Sequence, residues 1–528
     1  MRLGVVLALA AALRLAHVWA LRDTPWFEHL VVDPGYYDLW AQHIAAGNWL
    51  GGDRAFYMDP LYPYVLGALY RLFGRDLLAV RLVQVVMSVG SCALVARLGT
   101  MLGGPGVGLG AALWLALYKP EIMFTAEIEK TTLSVLLTAA ALVLFLERSR
   151  ASRFGAGIVL GLAVLTRANL LLFAPLGALV LWGESTTAGR RKSLVAPALF
   201  LAGFALALAP VAWRNHRVSG AWVPTTTQGG QNFYIGNNPD NLSGSYGALP
   251  FLRMNPAFEE EDFHAEAERR TGRSLDSRAT SRFWYGEALR FMREQPRTAL
   301  GLLGRKLALI WNDYEISDNQ DQYLLARHSW VMRLPLPGFG ITAAFAAMGI
   351  LASVATMPAA RLLVGFVVLY SASVAAFFVF SRYRIQLVPA LAPLAVLGAR
   401  AIAMHVRDGA GRRLLGDGVV LAGVAAFAFQ TIQPFDHRNV QLDAMRLHKL
   451  ADVHLLAGDA AGAITALGEA VSLCPERCPG ELRALVALYK EAGRAREAIV
   501  WLEQLVSAHP GNRAAAAELE RLRAGGAR

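Results

Sequence analysis

"LGVVLALAAALRLAHVWALRDTPWFEHLVVDPGYYDLWAQHIAAGNW", Leu3 to Trp49, sets an apolar run of membrane-crossing length just ahead of a carboxylate, Asp33, which is followed by Pro34 and close to Tyr36 and Tyr37. The run at 3–21 ends in "HVWALRD", a poor small-x-small cleavage site, so it reads as a retained first span rather than a signal peptide. Asp before Pro is a favoured helix start, with aspartate as N-cap and proline in the first turn. Tyr37, Trp40, Ala41 and Ile44 then fall at amphipathic spacing. Asp33 is thus either a helix cap or a functional carboxylate at the mouth of a membrane domain.

Outward from that stretch the chain stays apolar. Of its 528 residues 55% are hydrophobic and 17% charged, which suits a polytopic membrane protein with an appended domain. The net charge of +11 lies in short clusters between apolar runs, where orientation and lipid headgroups account for it without nucleic acid. Apolar runs at 3–21, 77–98, 105–119, 131–147, 154–166, 169–183, 194–213, 338–357, 360–380, 385–404 and 415–432 predict about eleven transmembrane helices. "ERSRASR" at 147–153, "GRRK" at 189–192 and "HVRDGAGRR" at 405–413 are short and basic, so the positive-inside rule puts them in the cytoplasm. Alternation then places 22–76, 119–130, 166–168, 214–337, 381–384 and everything after 432 on the opposite face. The segment 298–311 carries Arg305 and Lys306 within a moderately apolar run, and alternation requires it to lie in the interface or re-enter.

The last ninety or so residues change character. Gly458 aligns with Gly493, Ala463 with Ala498, Ile464 with Ile499 and Pro475 with Pro510, at a constant offset of about 35 residues. That spacing resembles a pair of tetratricopeptide repeats, with flanking helices near 440–448 and 513–524 completing an α-solenoid over 440–528. Of the three cysteines, Cys92 lies in an apolar run, and Cys474 and Cys478 are either a disulfide on a non-cytosolic face or two unrelated thiols.

Alternation gathers polar residues from distant segments on one face. "AEIEK" brings Glu127, Glu129 and Lys130, "LTRAN" brings Arg167, "WRNHR" brings Arg214 and Arg217, and "FSRYR" brings Arg382 and Arg384. Each arginine alone is explained by snorkelling at the interface; together the set suits a substrate with an anionic head and an apolar tail. The loop 214–337 is read either as a binding lid carrying Gln228, Asn232 and Tyr234 or as an irregular connection, and "WNDYEISDNQDQY" at 311–323 is acidic and aromatic, compatible with carbohydrate contact. There is no P-loop and no HExxH. "GGPGVGLG" at 103–110 has no strand ahead of it and is explained by close helix packing rather than dinucleotide binding.

"DPGYYDLWAQHIAAGNW", "YMDPLYPYVLGALYRLFG" and "RLVQVVMS", with "RNHRVSGAWVPTTTQGGQNFYIGNNP" and "RYRIQLVPALAPLAVLGA", resemble the GT-C glycosyltransferase superfamily, in particular its bacterial protein-mannosyltransferase and aminoarabinose-transferase branch, over about residues 1–430. Where that branch often has an adjacent acidic pair, Asp33 here is followed by Asp38 a helical turn later. The resemblance implies an all-α fold in four regions: 1–213 with a catalytic outer loop at 22–76, an extracytoplasmic loop region at 214–337, further spans at 338–432, and the repeats at 440–528. It implies transfer of a sugar from a polyprenyl-phosphate donor to a protein, lipid or glycan at the extracytoplasmic face of a bacterial inner membrane. In that mechanism Asp33 is the general base, and Lys130, Arg382, Arg384 and Arg167 hold the departing phosphate. Tyr36, Tyr37, Glu127, Glu129, Gln228, Asn232 and Tyr234 contact sugar or acceptor, and in some relatives Glu127 or Glu129 helps hold a divalent cation. The rivals are an O-antigen-ligase-like transferase, which relies on arginine and histidine in a later loop, and a non-catalytic scaffold whose function is the repeat domain.

Overall fold

The computed structural model describes residues 2–187, 194–247, 249–253, 256–436 and 438–525; the basic stretch at 189–192 lies outside them. The chain is helical, and among the described residues the extended pairings are isolated bridges, Asn238 with Asn241 and Ile432 with Phe435. In chain order the helices of the first half are α1 (Leu3–Leu21), α2 (Asp33–Ala45), α3 (Leu61–Phe73), α4 (Leu77–Gly103), α5 (Pro105–Leu117), α6 (Lys119–Ala126), α7 (Thr131–Leu146), α8 (Arg150–Val164), α9 (Phe173–Thr187) and α10 (Val195–Ser219). There follow α11 (Gly229–Gly236), α12 (Pro256–Thr271), α13 (Ser277–Glu294), α14 (Pro296–Trp311), α15 (Gln322–His328), α16 (Trp330–Arg333), α17 (Phe339–Ser353), α18 (Pro358–Ala375), α19 (Ser381–Arg384), α20 (Val388–Arg407) and α21 (Gly411–Ala428).

Among the described residues, five helical segments are long and apolar enough to cross a membrane: α1, α4, α10, α18 and the stretch Ser381–Arg407. A sixth results if α5 and α6, bent by 55° at their junction, count as one span. The other apolar runs form helices that are shorter or carry more charge. The runs at 131–147, 154–166, 169–183 and 338–357 form α7, α8, α9 and α17, each of 15 or 16 residues. At 1.5 Å per residue such helices fall short of a hydrocarbon core of about 30 Å. The run at 415–432 is α21, whose first turns carry Arg412, Arg413 and Asp417. Residues 119–126, expected within a connecting loop, are the fully packed helix α6.

Two compact units emerge. The first comprises Met1–Ala20, Val32–Gln322 and Ser329–Gln430. Its helices cross closely where glycines remove the Cβ: a Cβ on Gly349 of α17 would lie 1.8 Å from the Leu394 carbonyl of α20, and one on Gly157 of α8 would lie 1.9 Å from that of Phe200 on α10. Gly108, from the glycine-rich turn, lets α5 approach Ala96 and Thr100 of α4 in the same way. A polar clip ties α1 into the bundle. Buried Arg14 donates through Nε to Ser88 Oγ at 2.7 Å and through Nη1 to the Ala116 carbonyl at 3.0 Å, and Ser88 Oγ donates to Glu121 Oε1 at 2.8 Å. Such intramembrane charge persists because its partners satisfy it.

The second unit comprises Leu21–Val31, Tyr323–His328 and Thr431–Arg528. It contains α22 (Val440–Leu456), α23 (Ala460–Leu473), α24 (Pro479–Glu491), α25 (Ala495–Ala508) and α26 (Arg513–Gly525). Gly458 and Gly493 close α22 and α24 with φ of 75° and 68°, the left-handed turn that glycine enters freely. Ala463 and Ala498 are completely buried at the helix contacts that follow. Cys474 and Cys478 are joined as a disulfide, and Trp26 packs edge-on against His328 at 5.1 Å between ring centres.

Candidate active site

Asp33 opens α2, but it does not cap it. The residue ahead of the first turn is Val32, with φ 56° and ψ −131°, and no side chain caps the helix. A β-branched residue in that left-handed region is strained, and the strain is local to the neighbour of the carboxylate. Freed from capping, the buried Asp33 side chain reaches across the fold to Arg382, whose Nη1 donates to Asp33 Oδ2 at 2.5 Å.

Arg382 is the hub. Its Nη2 pairs with Asp318, and its Nη1 lies 3.5 Å from Glu129 Oε1. Glu129 in turn faces Arg167, whose Nη2 is 3.8 Å away, while its Oε2 accepts the Thr131 backbone N–H at 2.8 Å and also the Thr131 hydroxyl. Arg167 donates to Thr131 Oγ1 at 2.9 Å and sits over the Tyr383 ring. Lys130 donates to Asp59 Oδ2 at 2.6 Å and lies 5.8 Å from the centre of the Tyr37 ring. Tyr37 is fully buried, and its hydroxyl has no hydrogen-bond partner among the described residues. Burial, with the Asp33 charge behind it, holds that phenol well above its usual range. Burial and then the charge of Glu129 likewise push the Glu127 carboxyl well above its usual range. At the rim Tyr36 packs edge-on to Tyr37 and Trp40, its phenol raised to about 12 by burial and the charges of Glu260 and Asp33. Glu259 accepts from the Tyr57 hydroxyl at 2.8 Å and from Tyr246 at 3.4 Å, and burial is the main cause that lifts its carboxyl to about 7.

The structure thus brings together Asp33, Glu127, Glu129, Lys130, Arg167, Arg382, Tyr36 and Tyr37. Other expected site residues are employed elsewhere. Arg384, two positions after the hub, bonds to Glu315 Oε1 at 2.7 Å and to the carbonyls of Leu309, Asn312, Asp313 and Tyr314. It therefore fixes the chain after α14 rather than offering its terminal nitrogens to a phosphate. Tyr234 packs on Trp284 of α13 at 4.6 Å, and Gln228 and Asn232 are half-buried on or beside α11, whose neighbour is α13. Arg214 holds the 50–54 loop through the carbonyls of Leu50, Gly51 and Arg54, and Asp38 is tied to Tyr70 at 2.5 Å and Arg75 at 2.9 Å.

Asp59, Asp318 and Glu259 were not singled out from sequence. Asp59 repeats the Asp-Pro pair of 33–34, and Asp318 lies in the acidic, aromatic stretch at 311–323, so both carried a signal. Glu259 is one of three consecutive glutamates and carried none. A divalent cation does not fit this donor set. Glu129, the central carboxylate, faces two guanidiniums, and among the described residues no group of three or more His, Cys, Asp or Glu side chains is arranged to hold a metal ion.

Residues 55–213 match the sequence family described as dolichyl-phosphate-mannose-protein mannosyltransferase. That span takes in Asp59, Glu127, Glu129, Lys130 and Arg167 but begins after Asp33 and ends before Arg382. No curated protein matches the chain. Among solved structures, the chain is similar to the oligosaccharyltransferase of Archaeoglobus fulgidus in its apo form, at 13% identity and a TM-score of 0.44, covering 84% of this chain and 57% of that one. It is similar also to the same organism's AglB in complex with an inhibitory peptide and a dolichol-phosphate (14%, TM-score 0.41, 88% and 57%) and to ArnT from Cupriavidus metallidurans bound to undecaprenyl phosphate (17%, TM-score 0.35, 76% and 79%). The chain spans less than two thirds of the length of the archaeal enzymes.

Proposed function

We propose that this protein is a membrane glycosyltransferase that moves a sugar from a polyprenyl-phosphate-linked donor to a hydroxyl on a protein, lipid or glycan acceptor, at the extracytoplasmic face of a bacterial inner membrane. The observation that carries the proposal is the ion pair between Asp33 and Arg382, set among Lys130, Arg167 and Glu129 at a membrane domain. The match over 55–213 supports the donor class.

A donor phosphate competes with Asp33 for the Arg382 guanidinium, which suits a phosphate fork. Displaced from Arg382, the Asp33 carboxylate takes the proton of the acceptor hydroxyl as that oxygen bonds to the anomeric carbon. The bond from that carbon to the phosphate oxygen breaks, and the electron pair leaves on polyprenyl phosphate, its charge met by Arg382, Lys130 and Arg167. Attack opposite the leaving group inverts the anomeric centre. Tyr36, Tyr37 and Glu127 are the sugar- and acceptor-facing groups. The helices at 440–528, read as tetratricopeptide repeats, recruit the acceptor.

The test is glycan transfer in cells lacking the native gene, wild type against Asp33→Asn at equal membrane level. Removing the base is expected to lower transfer at least about 100-fold. Full transfer by a monodisperse Asp33→Asn protein reduces Asp33 to an ion-pair partner and moves the ligase-like or scaffold reading ahead.

A further inference from the structure

Away from the ion-pair network, the α12–α13 corner holds a cavity of about 370 Å³ whose walls include Arg273, Arg282, Arg290 and Arg293 with one carboxylate, Glu287. Glu287 is matched already, by Arg290 at 2.9 Å and Arg270 at 3.7 Å, so the cavity is net cationic. Arg282, Gly286, Leu289 and Arg293 recur at helical spacing on the solvent side of α13, opposite buried Trp284, Ala288 and Phe291. Leu289 is 49% exposed in the middle of this guanidinium ridge.

After a one-residue turn, α14 continues the pattern in apolar form. Both of its interior cations are turned inward: Lys306 is buried and donates to Asn237 Oδ1 at 2.8 Å, and Arg305 donates to the Ser243 carbonyl at 2.7 Å. What remains outside is Leu300, Leu303 and Leu307 with Gly301 and Gly304, and Leu300 is 68% exposed. α14 packs against the membrane-crossing helix α18, and the carbonyls after its end hold Arg384 at the start of the span Ser381–Arg407. The exposed leucine stripe therefore sits on a helix packed against a membrane-crossing one, directly after the arginine-bearing α13 in the chain.

We propose that α13 and α14 form a lipid-reading corner, in which the arginine cavity takes the phosphate of an anionic phospholipid from the surrounding bilayer and the α14 leucines rest on its acyl chains. Charge complementarity favours this occupant: guanidinium forks match phosphate, and a zwitterionic headgroup adds an ammonium that the cavity repels. The site is independent of the proposed transfer chemistry, because none of its residues belongs to the Asp33 network.

The test uses the full chain purified from lipid mixtures of phosphatidylglycerol and phosphatidylcholine, with retained lipid counted by native mass spectrometry. Wild type is expected to retain phosphatidylglycerol in preference, and each arginine changed among Arg282→Ala, Arg290→Ala and Arg293→Ala to lower that retention about fivefold, leaving phosphatidylcholine unchanged. The corresponding Arg→Lys triple variant keeps charge and fold and is expected to fall between the two. Equal retention of both lipids by wild type, or undiminished phosphatidylglycerol on the alanine variants, overturns the proposal. Displacement of the lipid by inorganic phosphate also overturns it, since the site then reads a free anion.

Discussion

Asp33, Glu129 and Asp318 converge on one guanidinium, so Arg382 is contested by three carboxylates before a phosphate can take it. Glu259 stands outside that contest and is the titratable group of the rim. Its folded value, about 7, lies above the ordinary 4.5 mainly because burial disfavours the carboxylate. The neutral acid therefore favours the fold: that contribution is complete below the ordinary value and is lost as pH rises through about 7. Glu259→Gln is uncharged throughout and still accepts from Tyr57, so it is expected to raise Tm by roughly 2 °C at pH 8 and to leave it unchanged at pH 5. The same shift at both pH values in thermal unfolding sinks this assignment. Sequence made Lys130 and Arg382 legible because each sits at the end of an apolar run, and Asp33 because it precedes a proline in the loop after the first one. It gave no way to separate Arg382 from Arg384, since that depends on which way the short helix α19 turns each side chain.

Among the elements, one of the tightest constraints is the crossing of α17 and α20. A methyl at Gly349 meets the Leu394 carbonyl, and separating the helices to admit it costs about 1–3 kcal/mol. Gly349→Ala is expected to lower Tm by several degrees, whereas Gly365→Ala on α18, where a Cβ has open space within 4 Å, leaves it unchanged. Equal Tm values for the two variants, measured in the same detergent, contradict that crossing. Composition located the apolar helices well: α1 begins and ends where the run 3–21 does. It did not report helix length, since the 15-residue α17 is as apolar as the longer helices. The α5–α6 bend was equally hidden, since "YKPE" breaks a helix in the same terms whether the chain leaves the membrane or folds back.

For the molecule as a whole, the basic turns at 147–153 and 405–413 give the expectation that the C-terminal helices lie outside the cytoplasm, which a fusion tests. Alkaline phosphatase fused after Arg528 is expected to be active and a cytosolic-folding fluorescent protein at the same place dark; the opposite pattern moves the repeats to the cytoplasm. The repeat offset was legible because turn glycines and contact alanines recur, whereas the joining of 21–31 and 323–328 to that unit was not, since no periodicity links segments so far apart. The distance between the two halves of the Asp33–Arg382 pair, 349 residues, also sets an order of events in biosynthesis. The ribosome delivers the carboxylate soon after the first span and its guanidinium only with the span Ser381–Arg407, so a partly inserted chain holds Asp33 without its Arg382 partner until that span has been made.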